Sequence, residues 1–378
     1  MERYSGISIN LNQPILAKVS KGSLADRFRK DSVLVARAFP RVTAGYKAIL
    51  CAENGISEPL KRSALPAVCG VKGWESLDEG DIVLMEPNGL ISVLYKRKSS
   101  DNAILLTDSC NARCLMCSQP SGNNGFALSD LRQFFHLIDR DTQNTGITGG
   151  EPTLERPKLL EALALSKEHL PHTEVDLLTN GILLADFDYV KEIVSIGHPN
   201  LVFQIPLHAD TDTCHNKIAG TDGFYHTIKG IYNLALFNQK IEIRTVIFSL
   251  NYKRLPNISE FIYRNFPFAF HVALMGMEVI HKARQNVEML WLDPYYYQDE
   301  LLEAVRILHR AHMNVSIYNH PLCIIPKSLW RFARRSISDW KRRFPEICQS
   351  CEAQSLCGGV FATSGEHFSK FLHPVATL

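Results

Sequence analysis

Ala103-Ile104-Leu105-Leu106-Thr107-Asp108-Ser109-Cys110-Asn111-Ala112-Arg113-Cys114-Leu115-Met116-Cys117 is the stretch on which the reading of this 378-residue chain turns. A short apolar strand runs into a loop that places three cysteines within eight positions. Toward the C-terminus the rhythm of strand, loop and amphipathic helix recurs, and strands are predicted at 103–107, 145–148, 174–179, 201–207, 241–247 and 270–274. Six strands separated by helices imply a parallel sheet, because parallel neighbours need crossovers and the helices supply them. The expected fold class is α/β, a partial (β/α)6 barrel of the TIM type over residues 99–320. In such barrels ligands are handled at the C-terminal strand ends, which is where the cysteines lie. A doubly wound open sheet fits the same alternation, since strand order cannot be read from one sequence.

Outward from the barrel, residues 1–98 read as a small β-rich N-terminal module. Short apolar runs flank the turn signal Pro87-Asn88-Gly89. The polar stretch from Lys96 to Ser100 marks a boundary. Residues 321–378 form a Cys-rich C-terminal extension. Lys plus Arg total 41 against 39 for Asp plus Glu, so a net charge of +2 gives no general electrostatic case for nucleic acid. No apolar run approaches the roughly 18 residues a membrane span needs, and the N-terminus lacks a secretory pattern; a cytoplasmic protein without a membrane partner is expected.

The ten cysteines are unevenly spread, with two tight groups and Cys51, Cys69 and Cys214 isolated. In a reducing compartment such clustering suits metal ligands better than disulfides. Cys110, Cys114 and Cys117 have C-x3-C-x2-C spacing, and three thiolates leave one iron of a four-iron cluster open, whereas structural zinc normally takes four ligands. The second group, Cys348, Cys351 and Cys357, with Cys323 ahead of it, offers four thiolates, a full complement for a second iron–sulfur cluster or for zinc. Between them, Arg331, Arg334, Arg335, Lys341, Arg342 and Arg343 are interrupted by Trp330, Phe332, Ile337 and Trp340, which predicts an amphipathic helix with a solvated basic face, an RNA or acidic-peptide surface being the alternative. Thr148-Gly149-Gly150-Glu151-Pro152 follows the second strand, where glycines let a backbone approach a ligand closely. Thr179-Asn180-Gly181 ends the third strand as an Asn-Gly turn. Gln204 and His208 share a strand face by the period of two. Arg244 lies in an apolar strand and needs an anion; pairing with Glu242 is not expected, on the reading that neighbouring positions alternate faces.

The cysteine loop after the first strand, with Gly149-Gly150-Glu151-Pro152 on the second, resembles the radical SAM superfamily. The resemblance implies a 4Fe-4S cluster on Cys110, Cys114 and Cys117 whose open iron binds S-adenosylmethionine. It also implies an electron donor and reductive cleavage to a 5′-deoxyadenosyl radical. It places the cofactor's amino group at Gly149, Gly150, Glu151 and Pro152 and a ribose contact at Thr179 or Asn180. From the strand faces, Gln204 and His208 are candidates to meet the cofactor inside the barrel, with His208 equally a packed core histidine, and the anion for Arg244 is either the cofactor's carboxylate or a carboxylate elsewhere in the chain. Met116 stands where the family often has an aromatic residue near the adenine, and the segment from Met275 to Glu278 would complete that pocket. The residues give no catalytic acid or base.

Four segments read together, ILLTDSCNARCLMCSQP, TGGEPTL, LMGME and LCIIPKSLWRFARRSISDWK with the cysteines that follow, resemble one subgroup more closely. This is the His-Xaa-Ser system radical SAM maturases of the HxsC family, across roughly residues 78–362. That resemblance implies a ribosomally made precursor peptide with His-Xaa-Ser repeats as substrate and a second radical SAM maturase of the same system as partner. A radical SAM enzyme acting on RNA or a small molecule, and a non-catalytic zinc scaffold, fit parts of the same pattern.

Overall fold

The computed structural model describes residues 2–22, 25–38, 40, 43–52, 64–119 and 128–376. By internal contacts the chain divides into two units, Met1–Ile104 with Phe126–Gly146 and Glu161–Thr173, and Leu105–Gly125 with Ile147–Leu160 and Glu174–Leu378.

Eight strands form the first sheet: β1 (Arg3–Ser5), β2 (Ile7–Ile9), β3 (Ile15–Ser20), β4 (Ser32–Ala36), β5 (Ala48–Cys51), β6 (Ala67–Cys69), β7 (Ile82–Met85) and β8 (Leu90–Tyr95). Their order is β1-β8-β7-β3-β4-β5-β6-β2, so the two end strands are consecutive in the chain and joined by Gly6 alone. The sheet must therefore curl on itself, which removes free edges. A Cβ on Gly6 would stand 2.4 Å from the Cys69 carbonyl oxygen, so only glycine closes this seam. Ala17, Val19, Val33, Val35, Leu50, Val83 and Ile91 fill the interior.

The second sheet has seven strands in the order β15-β14-β13-β12-β11-β10-β9. They are β9 (Asn102–Thr107), β10 (Asn144–Gly149), β11 (Glu174–Leu178), β12 (Leu201–Pro206), β13 (Lys240–Ile247), β14 (His271–Gly276) and β15 (Val315–Tyr318). All pairs from β11 to β15 are parallel. Spatial order equals chain order, which is the winding of a barrel wall; a doubly wound sheet reverses at a switch point, and this one does not. The six predicted strands are present within one or two residues at each end. β15 is a seventh, overlooked because four residues are too short to show a period of their own.

The basic segment departs from expectation, for the amphipathic helix is absent. Lys327–Phe332 is a short 3-10 turn, Ala333 bridges to Ile317 on β15, and Arg342–Arg343 (β16) pairs with Val360–Phe361 (β17). Tertiary pins override the helical spacing: the Trp330 indole N–H donates to the Leu322 carbonyl at 3.0 Å and Ile337 is buried.

Candidate functional site

The first cysteine loop leaves the end of β9 and is clamped from outside. Arg113 N–H donates to the Ala219 carbonyl at 2.9 Å, Leu115 N–H to that of Ile218 at 3.0 Å, and Asn286 Nδ2 to that of Leu115 at 2.8 Å. Gly220, with φ 63°, ends the helix Asp212–Ala219; a Cβ there would stand 2.7 Å from the Arg113 oxygen. Cys110 is exposed, and Cys114 and Cys117 are half-buried. Burial, with the other two sulfurs near, pushes the Cys114 thiol up to about 12. By itself it is neutral, and it ionises only against a bound cation. Met116 is buried beside Ile218, Phe248 and Met277, so its thioether is core packing and is not left free for an adenine.

The two glycines after β10 serve this loop. Gly150 N–H donates to the Thr107 carbonyl and Glu151 N–H to that of Ser109, both at 2.7 Å. A Cβ on Gly149 would lie 2.2 Å from the Thr107 oxygen, and one on Gly150 2.2 Å from the Ser109 oxygen. Expected to admit a ligand, these glycines first admit the backbone that carries Cys110.

Glu151 is 1% exposed, and its carboxylate is filled from within. Oε1 accepts from Thr153 N–H (3.0 Å), the Thr153 hydroxyl (2.6 Å) and the Thr179 hydroxyl (2.6 Å); Oε2 accepts from Asn180 N–H (2.6 Å). Asn180 Nδ2 in turn donates to Asn111 Oδ1 at 2.7 Å. The cysteine loop, the Gly-Gly-Glu-Pro turn and the Thr-Asn-Gly turn thus form one hydrogen-bonded unit at the ends of the first three strands. Asn111 is a member that sequence reading missed. Glu151 and Thr179 use polar atoms to hold that unit together, which gives them a positioning role beside the ligand contacts expected of them.

On β12, Ile205 faces Gly181 and Thr227, toward the helix Phe224–Leu236. By the period of two, Gln204 turns to the opposite, inner face. Gln204 Oε1 and His208 Nδ1 are buried and have no hydrogen-bond partner among the described residues. Burial, with His215 beside it, takes His208 down to about 3, so it is a neutral imidazole. His215 Nδ1 accepts from the His208 backbone N–H at 3.3 Å, the rings stack at 5.7 Å, and Asn251 Nδ2 holds the His208 carbonyl at 3.1 Å.

Arg244 corrects the sequence reading, because its Nε donates to Glu242. Positions two apart on a strand share a face, so the pair is what the pleat dictates. Glu242 Oε2 also meets His271 Nδ1 at 2.7 Å, and His271 Nε2 meets Ser316 Oγ at 2.9 Å. Burial pushes Glu242 upward, but the His271 bond and the Arg244 charge outweigh it and hold the carboxyl below its ordinary value. After β14, Glu278 binds Lys341 Nζ at 3.0 Å and the Thr363 hydroxyl at 2.6 Å, gripping the C-terminal segment. At the expected adenine pocket of 275–278, Met277 packs in the core and Glu278 also anchors the C-terminal segment.

Cys323, Cys348, Cys351 and Cys357 line a single pocket with Pro321, Gly359 and His373. Backbone N–H groups of Leu322 and Gly359 point at Cys357 Sγ, and that of Val375 at Cys351 Sγ, each at 3.4 Å. Such bonds stabilise thiolates. Burial pushes Cys323 up to about 11. Among the described residues no three His, Cys, Asp or Glu side chains are preassembled around one metal ion. What the fold supplies is two sets of sulfurs, one on a loop at the barrel mouth and one around a pocket.

Residues 104–262 match the family described as the Radical SAM superfamily. A probable GTP 3′,8-cyclase of Saccharolobus islandicus is 32% identical over 142 residues, covering 36% of this chain and 44% of that protein. One of Sulfurisphaera tokodaii is 24% identical over 228 residues, covering 59% and 68%. The chain therefore spans less than half the length of the first of these relatives. Among solved structures, Streptococcus suis SuiB bound to S-adenosylmethionine aligns with a TM-score of 0.49 at 15% identity, covering 60% of this chain and 52% of that one. The cofactors of the family are a 4Fe-4S cluster and S-adenosylmethionine. Residues 104–262, with three cysteines in the loop after the first strand of a singly wound sheet, thus match the radical SAM superfamily.

Proposed function

We propose that this chain is a radical SAM enzyme that modifies a ribosomally made peptide carrying His-Xaa-Ser repeats. The observation that carries the radical chemistry is the union of the Cys110–Cys117 loop with Gly150 and Glu151 through two 2.7 Å backbone bonds. Three thiolates and a ligand cradle are thereby held at one strand end. A bound cluster and S-adenosylmethionine would supply a 5′-deoxyadenosyl radical by one-electron cleavage.

The residues fit that pair. Cys110, Cys114 and Cys117 would hold three irons of the cluster, and backbone oxygens from Gly149 to Pro152 would receive the cofactor's ammonium while Glu151 fixes their orientation. Thr179 and Asn180 would shape the neighbouring wall. Gln204 Oε1 and His208 Nδ1 are buried atoms without a partner among the described residues and would be acceptors for a ligand, and Arg244 would offer its terminal nitrogens to an anion while Glu242 holds its Nε. The Cys323 pocket, with four thiolates and no open position, takes a second cluster or zinc. The peptide substrate and the second maturase rest on the sequence resemblance and on this C-terminal site. A small-molecule reading is favoured by the curated relatives, which are probable cyclases of GTP.

Anaerobic reconstitution followed by dithionite and S-adenosylmethionine tests the core reading. The expected result is 5′-deoxyadenosine with roughly eight irons per chain, or roughly four if the second site holds zinc. Cys114→Ala is expected to abolish deoxyadenosine release, and Cys351→Ala to lower turnover while sparing uncoupled cleavage. Normal cleavage by both variants would sink the assignment. Co-expression with a His-Xaa-Ser precursor, read by mass shift, tests the substrate; turnover of GTP instead would favour the small-molecule reading, and zinc without cleavage a scaffold.

A further inference from the structure

Some exposed arginines on this chain meet carboxylates, as Arg132 does Glu161, Arg156 Glu192 and Arg264 Glu260. Residues 327–335 gather several cations that do not. Lys327, Arg331, Arg334 and Arg335 are all exposed, and none has a carboxylate partner among the described residues. Each is instead held by a neutral group. Lys327 lies over the Trp330 ring at 5.7 Å and Arg331 over Phe332 at 4.7 Å. Arg334 donates to the carbonyls of Arg331 (2.9 Å) and Ala333 (3.0 Å), and Arg335 to that of Ser355 (3.0 Å). Such contacts fix where a cation points without cancelling its charge.

The strip also has a definite address. Arg334 N–H donates to the Ile317 carbonyl at 2.9 Å, so the segment runs along β15, the last strand of the seven-stranded sheet. On its other side it borders the second cysteine site, since a Cβ on Gly358 would lie 3.4 Å from the Arg334 oxygen. Beside Ser355, Leu356 is 58% exposed.

We propose that residues 327–335 form a docking rail for an acidic stretch of the peptide substrate, leading it along the edge of the sheet beside the Cys323 pocket. This rests on the peptide reading above. Four cations next to an exposed leucine match a short acidic peptide with an apolar residue. A nucleic acid would call for a broader field than a net charge of +2 provides.

The test is fluorescence anisotropy on the full reconstituted chain with three probes: a labelled peptide of alternating glutamate and leucine, its glutamine counterpart, and a single-stranded RNA of equal charge. The triple variant Arg331→Glu, Arg334→Glu, Arg335→Glu is compared with a control of equal charge change, Lys229→Glu, Lys253→Glu, Arg310→Glu. The acidic peptide is expected to bind about tenfold or more tightly than the glutamine one, to weaken with salt, and to lose about tenfold in the rail variant but under about twofold in the control. RNA binding tighter than the acidic peptide, equal loss in both variants, or indifference to salt overturns the proposal. Circular dichroism and iron content matching wild type show that the rail variant is folded. Deoxyadenosine release is measured separately on the unmutated enzyme, so failure of the rail and failure of the radical assignment give different results.

Discussion

Glu151→Gln puts an amide where at least one of four donors now finds a carboxylate oxygen, and leaves Asn180 N–H facing an NH2. The expected cost is about 1–3 kcal/mol, read as a shift in the urea midpoint, with iron occupancy of the first site falling in step. Gly150→Ala acts on the same unit from the other side. Its new methyl would meet the Ser109 oxygen at 2.2 Å, so the cysteine loop must retreat, and deoxyadenosine release is expected to fall at least tenfold, about 1.4 kcal/mol in barrier terms. At this scale the sequence was legible as chemistry and misleading as geometry. Which residues matter around Cys110 follows from motif spacing. That the Glu151 carboxylate is filled does not, because one of its donors, Thr179, lies 28 residues away. The Arg244–Glu242 pair, by contrast, was written in the period of two and needed only that rule applied with the right step.

Elements were read well where they are long and poorly where they are short. The six predicted strands run five to eight residues, whereas β15 is four residues ended by Asn319 at a positive φ of 64°. Residues 327–343 have helical apolar spacing and no helix beyond two 3-10 turns, since the Trp330 indole, the buried Ile337 and the β16–β17 pair hold the rest of the chain extended. Trp330→Phe keeps the ring and removes the N–H bond to Leu322. Amides at 322–325 are then expected to exchange about fivefold faster, roughly 1 kcal/mol of local opening, while those at 104–117 are unchanged. Equal acceleration in both segments would mean that the indole supports the whole barrel and not the Cys323 loop alone.

For the whole molecule, three buried histidines contribute to the response to acid. Burial lowers His208 to about 3 and both His215 and His320 to about 4, against an ordinary value of 6.5. His320 is neutral by its bonding too, donating from Nδ1 to the Tyr318 carbonyl and accepting from the Tyr297 hydroxyl. Because the folded values are depressed, their stabilisation is present above about 6.5 and is lost as the pH falls toward 4. The unfolded chain takes up protons that the folded chain refuses. The melting temperature should therefore drop steadily between pH 6.5 and 4.5, and His215→Gln should flatten that slope; a slope unchanged by this variant would place the acid sensitivity elsewhere. The sequence by itself determined the local facts: the C-x3-C-x2-C loop, the six long strands and their alternation with helices, and the faces of Gln204 and Arg244. All are set by neighbours within a few residues, and spacing alone expresses them. Tertiary structure alone decided that Cys323, 25 residues before Cys348, shares a pocket with it. It also decided that Glu151 is a clamp, that strand order follows chain order, and that the cations of 327–335 meet no carboxylate among the described residues. Each of these depends on which distant segments meet, and burial and hydrogen-bond satisfaction over the folded chain settle that, not the residues on either side.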